Sequence, residues 1–196
     1  MNGIASRLGS AGLVALNLCA TAVADTPSAG ARFDACIDYH CDMRQTVALD
    51  DRTWRGIVAP LRSDGDAAAE RTAIAESIAR MEHEVGRQTG TWRDRPRNDA
   101  DNGEPGQLDC IAESTNTTTY LRMLERAGLL RWHVVEERLK RQRWVFAVHW
   151  TAVIRDTHSG ERFAVDAWYG GNGTPPFVQP LQDWRAGIEP PATPDT

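Results

Sequence analysis

The sequence predicts an α+β fold, with helices in the first half of the chain and antiparallel strands in the second half. Residues 66–87 carry apolar side chains at the spacing of one helix face, with many charges elsewhere. Residues 143–155 are dense in Val, Ile, Phe and Trp, and residues 161–168 resume an apolar-rich extended pattern after a turn-forming segment. A helical half followed by an extended half is typical of helices packed on an antiparallel sheet.

Two helices are predicted before the middle of the chain. They cover residues 50–61 and 66–87, and the second carries an apolar stripe that we expect to pack into the core. The stripe consists of Ile74, Ile78, Met81 and Val85. Residues 91–109 are polar and rich in Pro, Gly, Asp and Asn, which predicts a long loop leading into a third helix.

The third helix is predicted to begin at Cys110. Asp109 is a favoured N-cap residue, and Gly128 is the expected stop. A thiolate at a helix N-terminus is stabilised by the unpaired backbone N–H groups and by the positive end of the helix dipole. An adjacent imidazolium lowers the thiol pKa further. Cys110 is therefore a candidate nucleophile.

The two strands form a predicted hairpin around the turn at residues 156–160. If Arg155 pairs with Gly160, counting back along both strands places His149 opposite Asp166. Directly opposed residues have Cβ atoms roughly 4.5–5.5 Å apart, so we expect the imidazole and the carboxylate to hydrogen-bond.

The order Cys110, His149, Asp166 resembles the transglutaminase-like branch of the papain-like thiol enzymes, over about residues 105–170. The resemblance rests on H-W in the histidine strand and V-D-x-W in the aspartate strand. It implies a core in which the Cys-bearing helix packs on an antiparallel sheet. It also implies that Cys110 is the nucleophile, His149 the general base and acid, and Asp166 the orienting carboxylate.

The Asp-Cys pair and the short interval from His to Asp are similar to the bacterial transglutaminase-like cysteine proteinases, which are periplasmic. That family has an acidic residue directly after the nucleophile, whereas this chain has Ile111 there and an acidic residue only at Glu113. The resemblance therefore implies the catalytic triad for this chain. It leaves open whether this chain shares the substrate and the calcium dependence of that family.

These residues predict an exported thiol enzyme that attacks an amide carbonyl through a thioacyl intermediate, as a cysteine peptidase or amidase without a cofactor or metal. We expect His149 to hold the Cys110 thiolate as an ion pair. The oxyanion would be bound by the Cys110 N–H and by Gln107, and the cleft would be lined by Trp150 and Trp168. The substrate would be a peptide or a cell-envelope amide, and either water or an amine would resolve the thioacyl enzyme.

Each of these residues also has an ordinary structural interpretation. A lone Cys is often a core thiol, and a His or Asp on an apolar strand is often a buried hydrogen-bonding group. The sequence thus leaves a second class open, a catalytically silent binding module of the cell envelope that uses its aromatic residues for recognition. A third class is an envelope protein in which Cys110 forms an intermolecular disulfide.

The N-terminus predicts export. Residues 11–23 are apolar and follow Arg7, and an Ala-Val-Ala signal precedes Asp25, so residues 1–24 are predicted to be a signal peptide. The apolar stretch is too short for a membrane span, so we expect no stable membrane insertion and a periplasmic or secreted location. A lipid anchor on Cys19 is the less favoured alternative, because Leu18 is bulky. We expect a single domain over residues 25–186 and an unpacked, Pro-containing tail over residues 187–196.

Signal cleavage would leave three of the four cysteines. The close pair Cys36 and Cys41 would most simply form a disulfide in an oxidising compartment and leave Cys110 as a free thiol. A metal site formed by Cys36, His40 and Cys41 is disfavoured, because structural zinc needs four ligands and no matching second half is present.

The net charge of −5 argues against nucleic acid as a partner. The basic run at residues 138–143 is predicted to be a solvated loop between two strands. Asp99, Asp101 and Glu104 lack the ligand spacing and glycine of an EF-hand, so a solvated acidic loop is favoured there over a calcium site.

Overall fold

The computed structural model describes residues 31–99, 103–143 and 147–191, and these form an α+β fold, which confirms the predicted class. The predicted signal peptide, including Cys19, lies outside the described residues, as does Asp101. In chain order the elements are β1 (Arg32–Cys36), β2 (Arg44–Ala48), α1 (Asp51–Val58), α2 (Ala67–Thr89), α3 (Cys110–Arg126), β3 (His133–Arg143), β4 (Ala147–Asp156), β5 (Arg162–Asp166), β6 (Phe177–Pro180) and α4 (Leu181–Ala186).

The strands form two antiparallel sheets. Strands β1 and β2 pair with each other, and strands β3 to β6 form a four-stranded sheet in sequential order. Alternate residues of β4 point to opposite faces of this sheet. Ile154 belongs to the main core with Leu121 and Leu124 of α3, whereas Val153 packs against Leu181 and Trp184 of α4. Helices α3 and α4 therefore cover opposite faces of the sheet.

Helix α2 supplies much of the main core. Its N-terminus is capped by Asp66, whose carboxylate accepts from the N–H of Ala69, and it ends at Gly90 in a left-handed conformation. All four residues of the predicted apolar stripe are buried in the core: Ile74, Ile78, Met81 and Val85. The prediction of core packing is confirmed.

The hairpin of β4 and β5 has a different register from the predicted one. Arg155 pairs with Arg162 and not with Gly160. The reason is the turn, in which the Asp156 N–H bonds the Glu161 carbonyl at 2.8 Å and the Gly160 N–H bonds the Asp156 carbonyl at 3.0 Å. A shift of two residues preserves the face of every side chain, since the period of a strand is two. His149 and Asp166 therefore stay on one face, as diagonal and not directly opposed neighbours.

The basic run at residues 138–143 lies within β3, so its prediction as a solvated loop is wrong. Its pairing with β4 extends to Arg143, with a bulge between Glu136 and Leu139. Tryptophan rings on neighbouring segments accommodate the charged side chains of this strand, because cationic groups stack favourably on aromatic faces. The guanidinium of Arg138 lies 5.0 Å from the centre of the Trp150 ring.

The beginning of the predicted tail is packed, which contradicts the prediction for residues 187–190. The Ile188 N–H bonds the Asp183 carbonyl at 3.0 Å, and the Gln179 side chain donates to the Ile188 carbonyl at 3.1 Å. Arg97 pairs with Glu189 at 2.7 Å. Proline content therefore did not prevent this segment from docking on the domain.

Three buried carboxyl groups join α2, the loop after it and α3. Glu113 forms side-chain hydrogen bonds with both Glu82 and Asp94, and all three side chains are buried. Burial raises the pKa of Glu82 to about 8 and the pKa of Asp94 to about 6. Burial and the two neighbouring carboxyl groups raise the pKa of Glu113 well above its usual value. This cluster of three carboxyl groups therefore retains protons at neutral pH.

We predict that stability against unfolding falls as the pH rises from about 4.5 to about 8, because the folded state holds a proton on Glu82 that the unfolded chain releases. Glu82→Gln preserves the shape and removes the charge, so its melting temperature at about pH 8 should exceed that of the unsubstituted protein by roughly 4 °C. Glu76→Gln, on the exposed face of α2, is the matched control and should change little. Thermal unfolding at about pH 5 and about pH 8 measures both variants. A lower melting temperature for Glu82→Gln at the higher pH would contradict the prediction.

Candidate active site

Cys110 is the first residue of α3, as predicted. The Asp109 carboxylate accepts from the N–H of Ala112 at 2.9 Å and so caps the helix, and Gly128 follows its end with φ of 67°. Cys110 is 8% exposed and, among the described cysteines, it is the one outside a disulfide. The cap and the stop are local signals, so the sequence predicts where the helix begins and ends.

The Cys110 sulfur lies against the edge of β4. The pairing of β4 with β5 ends at Ala152 and Val165, so the segment of β4 before Ala152 has backbone groups that β5 does not meet. The sulfur is 4.0 Å from the Val148 carbonyl oxygen, and the Trp150 N–H bonds it. Because these two groups flank His149 in the chain, the thiol is seated on the strand segment that carries the histidine.

His149 and Asp166 are in direct contact. The imidazole Nε2 lies 2.7 Å from the Asp166 Oδ2, and Trp184 donates its indole N–H to the same oxygen at 2.7 Å. An ionised carboxylate only accepts hydrogen bonds, so Nε2 carries the proton when His149 is neutral. Among the described residues Nδ1 has no hydrogen-bond partner, which leaves it as the basic nitrogen.

Aromatic rings enclose this pair. The His149 ring centre is 4.7 Å from that of Trp168 and 5.8 Å from that of Trp184. Arg141, which pairs with His149 across β3 and β4, stacks on Trp184 and donates to the Tyr169 hydroxyl at 2.9 Å. Arg141 thus contacts two of the rings that surround the His149 imidazole, those of Trp184 and Tyr169.

The two tryptophans predicted to line the cleft lie on opposite faces of β4. Trp168 contacts His149 and donates its indole N–H to the Asn98 carbonyl at 3.2 Å. Trp150 points to the other face, because it is adjacent to His149 in the strand, and Arg138 and Lys140 lie over its ring.

The pKa of the Cys110 thiol argues against the predicted ion pair between a Cys110 thiolate and a His149 imidazolium. Burial raises the pKa of Cys110 to about 11, and the carboxylates of Asp109, Asp166 and Asp99 raise it too, while the Trp150 N–H opposes them. The resting sulfur is therefore a thiol at neutral pH and not a thiolate paired with an imidazolium. A reaction at this sulfur needs a base that removes its proton during attack.

Gln107, predicted as an oxyanion donor, has its amide directed into the preceding loop. Its Nε2 donates to the Arg93 carbonyl at 2.6 Å, and its Oε1 accepts from the Asn98 amide at 2.5 Å and from the Arg95 N–H at 3.3 Å. These bonds fix residues 93–98 of a long loop, which explains why the side chain is buried. We therefore do not retain Gln107 as an oxyanion donor.

The Cys36–Cys41 disulfide is present, which confirms that prediction and leaves neither sulfur for a metal site. Within residues 31–99, 103–143 and 147–191, no three His, Cys, Asp or Glu side chains are grouped so that they could hold a metal ion. Glu104 of the acidic loop pairs with Arg95 at 2.5 Å. Among the described helices, none is both long and apolar enough to cross a membrane.

Sequence patterns did not identify three groups that shape the site. Trp184 is fully buried and donates to Asp166. Arg141 belongs to the run predicted to be a loop, and it stacks on Trp184. His40 donates its backbone N–H to Asp109, the residue that caps the helix of Cys110. All three act through contacts distant in sequence, for which the local pattern carries no signal.

Comparison of the chain with protein-family models, with curated proteins and with solved structures finds no match.

We predict that Trp184→Phe lowers the free energy of unfolding by about 2 kcal/mol or more, because it removes a hydrogen bond to the buried Asp166 carboxylate and leaves a small cavity where the larger indole ring packs. Trp92→Phe is the matched control, since Trp92 is 60% exposed. Urea unfolding followed by circular dichroism measures both variants. Equal effects of the two substitutions would mean that the indole N–H bond to Asp166 contributes nothing to stability.

Proposed function

We propose that the protein is a cysteine peptidase or amidase with Cys110 as nucleophile, His149 as general base and acid, and Asp166 as the orienting carboxylate. One observation carries the proposal: the Cys110 sulfur contacts the backbone groups of Val148 and Trp150, which lie on either side of His149. The Nε2 of His149 in turn lies 2.7 Å from the Asp166 carboxylate. A helix-borne thiol, a base and an orienting carboxylate are the parts that nucleophilic catalysis by cysteine needs.

The proposed reaction begins with a neutral thiol and a neutral imidazole. His149 Nδ1 takes the thiol proton as the sulfur attacks the amide carbonyl carbon, and the tetrahedral oxyanion collapses with loss of the amine, which takes that proton from the imidazolium. Water then attacks the thioacyl carbonyl while His149 takes its proton, and the acid leaves as the thiol is restored. Asp166 stabilises the imidazolium in both halves.

The start of α3 offers donors for the oxyanion. The Asp109 side chain and carbonyl occupy the N–H groups of Ala112 and Glu113. Among the described residues, the N–H groups of Cys110 and Ile111 have no such partner, as expected for the first turn of a helix. The Cys110 N–H therefore remains an oxyanion donor in the proposal, without Gln107, since backbone donors at a helix start stabilise developing negative charge.

We further propose that the core is transglutaminase-like and that the protein acts outside the cytoplasm. The proposal of the core is supported by the order of the three residues on α3, β4 and the end of β5, and by the packing of α3 on an antiparallel sheet. The disulfide and the predicted signal peptide support a periplasmic or secreted location. A peptide or a cell-envelope amide is the substrate class that fits this compartment, and the net charge disfavours nucleic acid.

A catalytically silent binding module is the second candidate function. It is favoured by the burial of Cys110 and by the elevated pKa of its thiol, which keep the resting sulfur unreactive. The two functions differ in whether His149 assists reactions at the sulfur, and this difference can be measured without a known substrate.

We predict that iodoacetamide labels Cys110 in the non-reduced protein, and that the rate is much higher at about pH 10 than at about pH 7, unlike the flat profile that a preformed thiolate would give. His149→Ala should slow labelling at about pH 7 by roughly tenfold or more, because the base that removes the proton is lost. His158→Ala, in the exposed turn of the same hairpin, is the matched control. Mass spectrometry identifies the labelled residue and gives the rate.

If Cys110 is unreactive until the protein is denatured, or if both histidine variants react like the unsubstituted protein, the thiol is a core residue. The enzyme proposal would then fail, and the binding module would be the function that remains.

A further inference from the structure

The disulfide loop between β1 and β2 lies on the start of α3. Cys36 and Cys41 close a loop across five positions of the sequence. Cys36 is fully buried against Leu108 and Ala112, which flank Cys110 on both sides in the chain, and Cys41 packs against the same cluster. The disulfide is therefore part of the packing around the first turn of the helix that carries the thiol.

Two pairs of hydrogen-bonding groups tie this loop to α3 and to the segment before it. The Asn116 side chain of α3 accepts from the Cys36 N–H at 2.8 Å and donates to the Cys36 carbonyl at 3.0 Å. The Tyr39 hydroxyl donates to the Asn98 side chain at 2.6 Å. An amide side chain that bonds both backbone groups of one residue holds that residue in a single position relative to the helix.

His40 shares the capping group of α3. Its backbone N–H donates to the Asp109 Oδ1 at 3.1 Å, and that oxygen also accepts from the Ala112 N–H at 2.9 Å. The His40 Nε2 lies 3.4 Å from the other carboxylate oxygen, Oδ2. The residue directly before Cys110 is thus held from the helix side and from the loop side at once.

The loop holds His40 in a conformation that an unconstrained chain disfavours. His40 and Cys41 have φ values of 54° and 61°, so two successive residues with a Cβ atom occupy the left-handed region. The disulfide closes the chain in this form, together with the N–H groups of Cys41 and Asp42, which donate to the Asp38 and Tyr39 carbonyls at 3.2 and 3.1 Å. Opening the disulfide would allow both residues to return to the ordinary region, which withdraws His40 from Asp109.

We propose that the 36–41 disulfide loop is a redox-sensitive latch that holds the start of α3, so that reduction by a dithiol releases the Asp109 cap and displaces Cys110. The effect on the enzyme rests on the proposed function of Cys110. A thiolate of the dithiol attacks the sulfur of Cys41, which is less buried than Cys36, and Cys36 leaves as a thiolate. The second dithiol sulfur then displaces Cys41. The dithiol is oxidised to its disulfide, and its two protons pass to Cys36 and Cys41.

Hydrogen exchange of the complete protein, before and after treatment with dithiothreitol, tests the latch without any substrate. The proposal expects at least a tenfold loss of protection for the amides of Ala112 and Glu113, while the amides of Leu121 and Leu124 in the same helix keep theirs. A double variant, Cys36→Ser with Cys41→Ser, should show the reduced pattern without the reagent and should not respond to it.

The other outcomes overturn the latch. If protection at Ala112 and Glu113 is unchanged, the loop does not control the helix start. If protection falls equally along α3, the disulfide stabilises the whole domain and acts as no local latch.

Labelling of Cys110 by iodoacetamide separates this inference from the proposed function. In the oxidised protein His149→Ala should slow labelling, and after reduction the two proteins should react at the same rate, because the displaced thiol no longer meets the base. If His149 has no effect in either state but the exchange result holds, the latch stands and the enzyme proposal fails. If His149 slows labelling equally in both states, the latch fails and the enzyme proposal stands.

Discussion

The Asp109 carboxylate fixes where α3 begins, and the position of the Cys110 thiol depends on that start. The carboxylate caps Ala112 on the helix side and binds His40 on the loop side. A helix that began one residue later would rotate the thiol by about 100° around the helix axis, away from the strand edge. The contact of the sulfur with the backbone on both sides of His149 therefore follows from one capping interaction.

The site balances two opposing electrostatic demands. The Asp166 carboxylate accepts from His149 and from Trp184, so it would stabilise a positive charge that forms on the imidazole during attack. The same carboxylate, with Asp109 and Asp99, opposes a negative sulfur, and burial adds to this effect. Under the proposed function, the thiol and the imidazole would separate charge only when an electrophilic carbon is in reach of the sulfur. A thiolate is more readily oxidised than a protonated, buried thiol, so the resting state of Cys110 is the less easily oxidised one.

The sequence predicted those parts of the fold that local chemistry determines. Asp109 and Gly128 define α3, and the apolar stripe of α2 predicts its buried face, because caps and periodicity act within a few residues. The face shared by His149 and Asp166 was also predictable, since a strand alternates with a period of two. The observed register of β4 and β5 differs by two residues from the predicted one, because the turn is closed by a hydrogen bond between the backbone groups of Asp156 and Glu161.

The remaining parts depend on contacts between distant segments. The charged residues of β3 are typical of a loop in the sequence, but in the fold they lie over the rings of Trp150 and Trp184. Residues 187–190, at the start of the predicted tail, have partners far along the chain, such as Arg97. Gln107 lies three residues before Cys110, yet its amide binds the loop at residues 93–98. Sequence proximity to a nucleophile therefore says little about the direction of a side chain in an irregular segment.

The most direct test of Cys110 as an acylated nucleophile is intact-mass analysis of the protein during incubation with p-nitrophenyl acetate, with Cys110→Ser and His149→Ala beside it. The structure predicts a transient adduct of one acetyl group on Cys110, released by water over time, that forms much more slowly without His149 and is absent at this position in Cys110→Ser. An unsubstituted protein that acquires no adduct on Cys110, or one that acquires it at the same rate with and without His149, would contradict the proposal that this cysteine and this histidine act together.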